Sequence, residues 1–234
     1  NGAHRPQARG TLHLRGRAAP HHAHHHEPQE GGRGAGVGRE GDGLYFFDTS
    51  FNLTNFRYGY NPLKFPDKNY LSAWCGLQDS KGTVWIGCDA GRLFQLNPST
   101  NKIIVLPVPE LGDQTVRSIA EDKNGNIWIG TNNDIIVKWT RGVNSFKQIV
   151  YAGDIKYKPE WVLRILPGYE NDLWVATTGA GLLRLDLATD RIKEQFLPDS
   201  NSQSIGSYYV VDIVALNPTT YAIATESGID LFDW

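Results

Sequence analysis

The sequence predicts an all-β fold, a β-propeller of four-stranded antiparallel blades. Three observations predict it: a hairpin bearing one large aromatic residue recurs at a near-constant interval, apolar and polar residues alternate around it, and Gly-containing turns punctuate the runs. The anchors Trp85, Trp128, Trp174 and Tyr221 are separated by 43, 46 and 47 residues. A period of about 40–50 residues filled with short strands is the mark of propeller blades.

Each unit opens with a short inner strand, as in Val116-Arg117-Ser118-Ile119, Val162-Leu163-Arg164-Ile165 and Val210-Val211-Asp212-Ile213. A turn follows, carrying Asn124-Gly125 or Lys81-Gly82, a strong hairpin signal. The Trp-Ile-Gly strand returns antiparallel, its glycine permitting close approach. A third strand begins at Gly91, Gly181 or Gly228, and an outer strand such as 102–106 or 191–196 closes the unit. Aligning Gly43-Leu44-Tyr45-Phe46-Phe47-Asp48 with the third strand places a partial blade at 43–66. Full blades fall at about 70–110, 114–152 and 160–198, with a second partial blade at 207–234. The expectation is an incomplete propeller, a fragment of a longer protein or one that closes by pairing with another chain.

All seven histidines precede residue 27, in an Arg-, Gly- and Ala-rich stretch. Residues 1–42 contain no aromatic residue, no Ile and no Lys, so this low-complexity segment is expected to be disordered or artefactual and is set apart from the fold. Beyond it no histidine remains, which removes the commonest general base and metal ligand from the blades.

Composition excludes further classes. The chain of 234 residues has a formal net charge of −2, and so lacks the positive field that draws nucleic acid. No apolar run reaches the roughly 18 residues a membrane helix needs. Cys75 and Cys88 flank one hairpin, and counting places them diagonally rather than opposite. A disulfide across it remains open, with two buried free thiols favoured. No cofactor or metal site is expected.

The pattern Ile-x-x-Asp-x-x-Gly-x-Ile-Trp-Ile-Gly-Thr, carried by Ile119 to Thr131, together with Gly-Leu-x-x-x-Asp at 181–186, resembles the two-component regulator propeller repeat. The resemblance covers 43–234, with departures at Asn133-Asp134-Ile135, which lacks the expected Gly, and at Tyr221, which replaces Trp. It implies a periplasmic sensor module of a hybrid two-component protein, responsive to carbohydrate fragments and signalling as a dimer. It also implies a membrane helix and a histidine kinase elsewhere in the full-length protein.

The candidate ligand residues follow from the blade plan. Loops after the Trp strand offer Asp89, Asn132, Asn133 and Glu226, polar groups suited to sugar hydroxyls. The approaches to the inner strands offer Tyr70, Tyr157, Trp161, Tyr208 and Tyr209, whose faces can stack on sugar rings. One inner-strand position varies among Cys75, Ser118, Arg164 and Asp212, and Arg164 and Asp212 are taken as hub-lining candidates. The repeated tryptophans are structural. A lyase-like enzyme is disfavoured by the missing histidine, and no motif pairs Asp89, Glu160, Asp212 and Glu226 as glycosidase carboxylates. The alternative reading is a non-catalytic scaffold for protein partners or dimerisation.

Overall fold

The computed structural model describes residues 73–97, 100, 102–151, 155–200 and 204–234, with four short strands before residue 55; of those strands, and of 102 and 103, it describes the backbone alone. The early strands are β1 (Thr11–Leu12), β2 (Gly36–Arg39), β3 (Gly43–Phe47) and β4 (Leu53–Thr54). β2, β3 and β4 form one sheet, with Arg39 opposite Gly43, and β1 pairs with the first strand of the next sheet, Thr11 opposite Leu77. The rest of 1–42, most of the partial blade 43–66, and Tyr70 lie outside the described residues.

From residue 73 the chain is a succession of antiparallel meanders. The first blade holds β5 (Ala73–Gln78), β6 (Val84–Cys88), β7 (Leu93–Asn97) and β8 (Lys102–Leu106). After a 3-10 turn at Pro109–Leu111 the second holds β9 (Val116–Glu121), β10 (Ile127–Thr131), β11 (Ile136–Thr140) and β12 (Ser145–Ile149). The third holds β13 (Trp161–Pro167), β14 (Asp172–Thr178), β15 (Leu182–Asp186) and β16 (Arg191–Phe196). The last described sheet is β17 (Val210–Ala215), β18 (Thr220–Thr225) and β19 (Gly228–Asp233). Inner strands β5, β9, β13 and β17 adjoin in sequence order, and each blade's second strand packs on the next blade's inner strand. This radial stacking is the propeller arrangement the repeat predicts.

Burial follows the stacking. Trp85 packs with Val116, Ile129 and Trp139 between the first two blades, Trp128 with Val162 and Ile165 between the next two, and Trp174 with Val210, Ile213 and Tyr221 beyond. Each tryptophan therefore fills the gap between its own blade and the following one, while Tyr221 packs back against Trp174. The repeat motif also holds its own turn. Asp79 Oδ1 accepts the N–H groups of Lys81 and Thr83, both at 2.9 Å, while Oδ2 accepts Trp85 Nε1 at 3.1 Å. Asp122 does the same for Asn124, Asn126 and Trp128. One carboxylate thus joins the turn to the core. Gly168 stands at that position in the third blade, and Trp174 Nε1 has no hydrogen-bond partner among the described residues. In the last blade the hairpin is two residues tighter, Ala215 standing opposite Tyr221, and Asn217 Oδ1 caps it by accepting Thr219 and Thr220 N–H.

The glycine of Trp-Ile-Gly has a measurable reason. A Cβ added at Gly130 would stand 2.4 Å from Val162 Cγ1 on the neighbouring blade, and one at Gly87 2.3 Å from Val116 Cγ1. Gly130→Ala is therefore expected to cost about 1–3 kcal/mol by overpacking, read as a lower urea midpoint. Where the expected glycine is missing before β11, Asp134 itself adopts φ +60°, matching Gly91 at +64° and Gly181 at +70°. Asp tolerates the left-handed region better than most residues, so the blade keeps its turn.

The thiols are free. Ala73 pairs with Cys88 and Cys75 with Gly87, the diagonal placement read from the hairpin. Burial, reinforced by the neighbouring Asp89 charge, pushes the Cys88 thiol up to about 12.

Candidate functional site

The loops that join one blade to the next and the loops after the Trp strands lie at the same end of the blades, and backbone hydrogen bonds stitch them together. Gly91 N–H donates to Gln114 O, Asn132 to Thr115, Asp134 to Glu160, Gly181 to Tyr208 and Glu226 to Tyr209, at 2.9–3.3 Å. The end carrying most of the sequence-predicted residues is thereby a braced platform.

At this end every described inner strand carries the same irregularity. The register slips between Ala73 and Cys75, Val116 and Ser118, Val162 and Arg164, and Val210 and Asp212. A β-bulge leaves one residue outside the ladder and re-aims it. The residues so released are Trp74, Arg117, Leu163 and Val211.

Two of them form the centre of the site. The Arg117 guanidinium lies 4.2 Å from the Trp74 ring centroid and 5.2 Å from that of Trp161, so one cation spans two indoles from the adjoining blades. Asp89 accepts hydrogen bonds from Trp74 Nε1 and, at 3.1 Å, from Thr115 Oγ1. Burial lowers the Arg117 pKa from its ordinary value, with the Asp89 charge opposing the shift. Asn132 pairs with Trp161 through a β-bridge, and among the described residues its buried Oδ1 has no partner. Asn133, at φ +62°, donates from Nδ2 to Gln114 Oε1 at 2.6 Å. Trp161 keeps 42% of its surface exposed.

A second aromatic group lies between the third and last blades. Tyr157 and Tyr208 meet edge to face with centroids 5.5 Å apart, and they are 40% and 37% exposed. Gln195 fixes the Tyr157 segment, accepting from Lys156 N at 2.7 Å and donating to Tyr157 O at 2.8 Å. Tyr209 is 38% exposed, and Glu226 sits on the same rim through its backbone.

The variable inner-strand position has a structural use. Cys75 Sγ–H donates to Val116 O at 3.6 Å, Ser118 Oγ accepts Ile165 N–H at 2.9 Å, and Arg164 Nε lies 3.4 Å from Asp212 Oδ1. Each ties one inner strand to the next, which accounts for polar groups of different kinds there. The structure therefore gathers Asp89, Asn132 and Trp161 into one group, Tyr157 and Tyr208 into another, and Arg164 and Asp212 into a third. Sequence reasoning passed over Trp74 and Arg117. The available signal was the residue just before the variable position, a tryptophan and an arginine in the first two blades where Leu163 and Val211 stand in the others. Among the described residues no group of three or more His, Cys, Asp or Glu side chains is arranged to hold a metal ion, and no helix is long and apolar enough to cross a membrane.

Residues 110–133 match the family model of the two-component regulator propeller. This stretch of the second blade carries that repeat. Two solved extracellular domains of B. thetaiotaomicron, each described as part of a hybrid two-component system, share the fold: one at 23% identity and TM-score 0.66 over 82% of this chain, the other at 24% and 0.61 over 81%. The chain spans about a quarter of their length, 25% and 24% respectively. Virginiamycin B lyase from Staphylococcus aureus is similar at 18% identity and TM-score 0.58, over 81% of this chain and 62% of the enzyme. At such identities the likeness is one of fold. No curated protein sequence matches.

Proposed function

We propose that these blades belong to the extracytoplasmic recognition portion of a two-component sensor in the periplasm, that they bind a signal without transforming it, and that the signal is a carbohydrate fragment. The family repeat and the B. thetaiotaomicron extracellular domains support the sensor part of this reading. The observation that carries the ligand part is the exposed Trp161 face beside Asn132 on a rim braced by backbone hydrogen bonds. An indole face with adjacent amide and carboxylate groups suits a sugar ring, whose C–H surface stacks while its hydroxyls hydrogen-bond. Carboxylates already engaged by Trp74, Thr115 or Arg164 are poor candidates for acid–base work, which supports a binding role over the lyase-like alternative.

Calorimetric titration of the chain with an oligosaccharide panel tests this. Trp161→Ala should weaken the binding of a recognised sugar about tenfold, about 1.4 kcal/mol, with little change in thermal midpoint because the indole is largely outside the core. Binding of no saccharide would defeat the ligand reading.

The scaffold reading is favoured by one other observation. Val214, Ala222 and Leu231 form a cross-strand row on the face of β17–β19 turned away from the third blade, with Ile229 beside them, and Ile229 and Leu231 are 77% and 72% exposed. Apolar surface of this kind marks contacts with other protein surface. Self-association through this face, detected by sedimentation and abolished by Leu231→Glu, would support dimerisation.

A further inference from the structure

We infer that the rim group around Arg117 selects a negatively charged saccharide, its carboxylate or sulfate taken by the Arg117 guanidinium while the sugar ring lies on Trp161. The inference rests on the carbohydrate reading above and deepens it.

Arg141 spends its guanidinium on Asp79 at 2.8 Å and Glu121 at 3.4 Å, and Arg184 reaches Asp172, Glu170 and Glu194 at 2.6–3.2 Å. Arg117 differs. It is half-buried, its Nε is buried without a partner, and among the described residues it makes ring contacts but no hydrogen bond. A guanidinium carries five donors in a planar fork matched to carboxylate and sulfate oxygens. The buried Nε costs free energy while it is unpaired, and the rest of the guanidinium, half-buried and bonded to no described carboxylate, is open to an anionic ligand.

The surroundings keep the fork fixed and available. Trp74 is held by its hydrogen bond to Asp89, which is itself tied to Thr115, so the indole cannot swing from beneath the cation. The bulge holds Arg117 out of the β9 ladder. Asp89 is the neighbouring countercharge, yet its hydrogen bonds go to Trp74 and Thr115 rather than to Arg117. Asn132 Oδ1, buried and without a donor among the described residues, belongs to the residue bridged to Trp161. Trp161 therefore has a bare donor set lying against its ring and a bare acceptor on its β-bridged partner. A sugar acid stacked on it offers an anion to the first and a hydroxyl to the second. A neutral sugar offers only the hydroxyl.

The test is calorimetric titration of the whole chain with three tetrasaccharides: a galacturonate, a sulfated galactan and a neutral galactan. The expected result is binding of one or both charged probes at least tenfold tighter than the neutral one, and which of the two binds names the source of the charge. Arg117→Gln should remove that preference, read as the ratio of charged to neutral affinity within the variant, while Arg117→Lys restores part of it. Asn132→Asp, which sets a negative charge beside the fork, should weaken the charged probes at least tenfold, and it decides the matter if Arg117→Gln fails to fold. Equal binding of neutral and charged probes, indifferent to Arg117→Gln or Asn132→Asp, overturns the inference and leaves the carbohydrate reading standing. Binding of none of the three or of any wider sugar panel overturns both.

Discussion

Trp128→Ala should destabilise the folded chain by about 3–5 kcal/mol, the usual cost of deleting a buried large aromatic side chain. Trp128 has no exposed surface, sits in the cluster that joins the second and third blades, and donates its indole N–H to Asp122 at 2.8 Å. The truncation opens a cavity between blades and strips a buried carboxylate of one donor. Urea unfolding followed by tryptophan fluorescence and circular dichroism measures it. A midpoint within the error of the parent would mean that the blades do not depend on this contact, and the radial packing would have to be reconsidered. Trp161→Ala is the control: an equally large residue on the open rim, expected to leave the midpoint nearly in place.

Asp79→Asn should lower stability by about 2–4 kcal/mol at neutral pH. The buried Asp79 carboxylate holds its own turn, the Trp85 N–H and the Arg141 guanidinium of the next blade. Burial works against its charge, but Arg141, Trp85 and the Thr83 and Lys81 N–H groups outweigh burial, and its pKa lies below the ordinary 3.8. With the folded-state pKa depressed, the stabilisation is complete above the unfolded-state value and is lost as pH falls through the folded one. The gap between parent and Asp79→Asn should therefore be constant above about pH 4 and narrow below it. Unfolding at a series of pH values checks this, and a gap that persists unchanged to the lowest pH would assign the stabilisation to shape rather than charge.

The same aspartate shows how far the sequence could be read. Its recurrence with Gly and Trp was visible as pattern, and the pattern located the hairpins; the double duty of the carboxylate was not visible. The variable position at Cys75, Ser118, Arg164 and Asp212 was visible too, as diversity, and diversity alone does not distinguish a ligand surface from a set of unlike interblade ties. Asp134 shows the converse. Its departure from Gly looked like a break in the repeat, yet the backbone absorbs it at φ +60°.

The candidate site was half legible. Asp89, Asn132 and Trp161 could be named because loops after a Trp strand and residues leading into an inner strand must crowd one end of a propeller. Trp74 and Arg117 could not, because their prominence comes from a bulge. A one-residue slip moves a side chain off the face its alternation assigns, and nothing in an alternation pattern records it.

What the chain's sequence determined by itself was the repeat: its period, its strands, its turns and the aromatic anchors. Those features are local or periodic, and hydrophobic alternation and turn chemistry write them directly into residue order. Only the tertiary structure decided which residues share a surface, namely that Arg117 lies between two tryptophans from the adjoining blades and that its donors remain unspent. Sequence separations of about 40 residues carry no distance information until neighbouring blades pack, and whether a charge is paired depends on that packing alone.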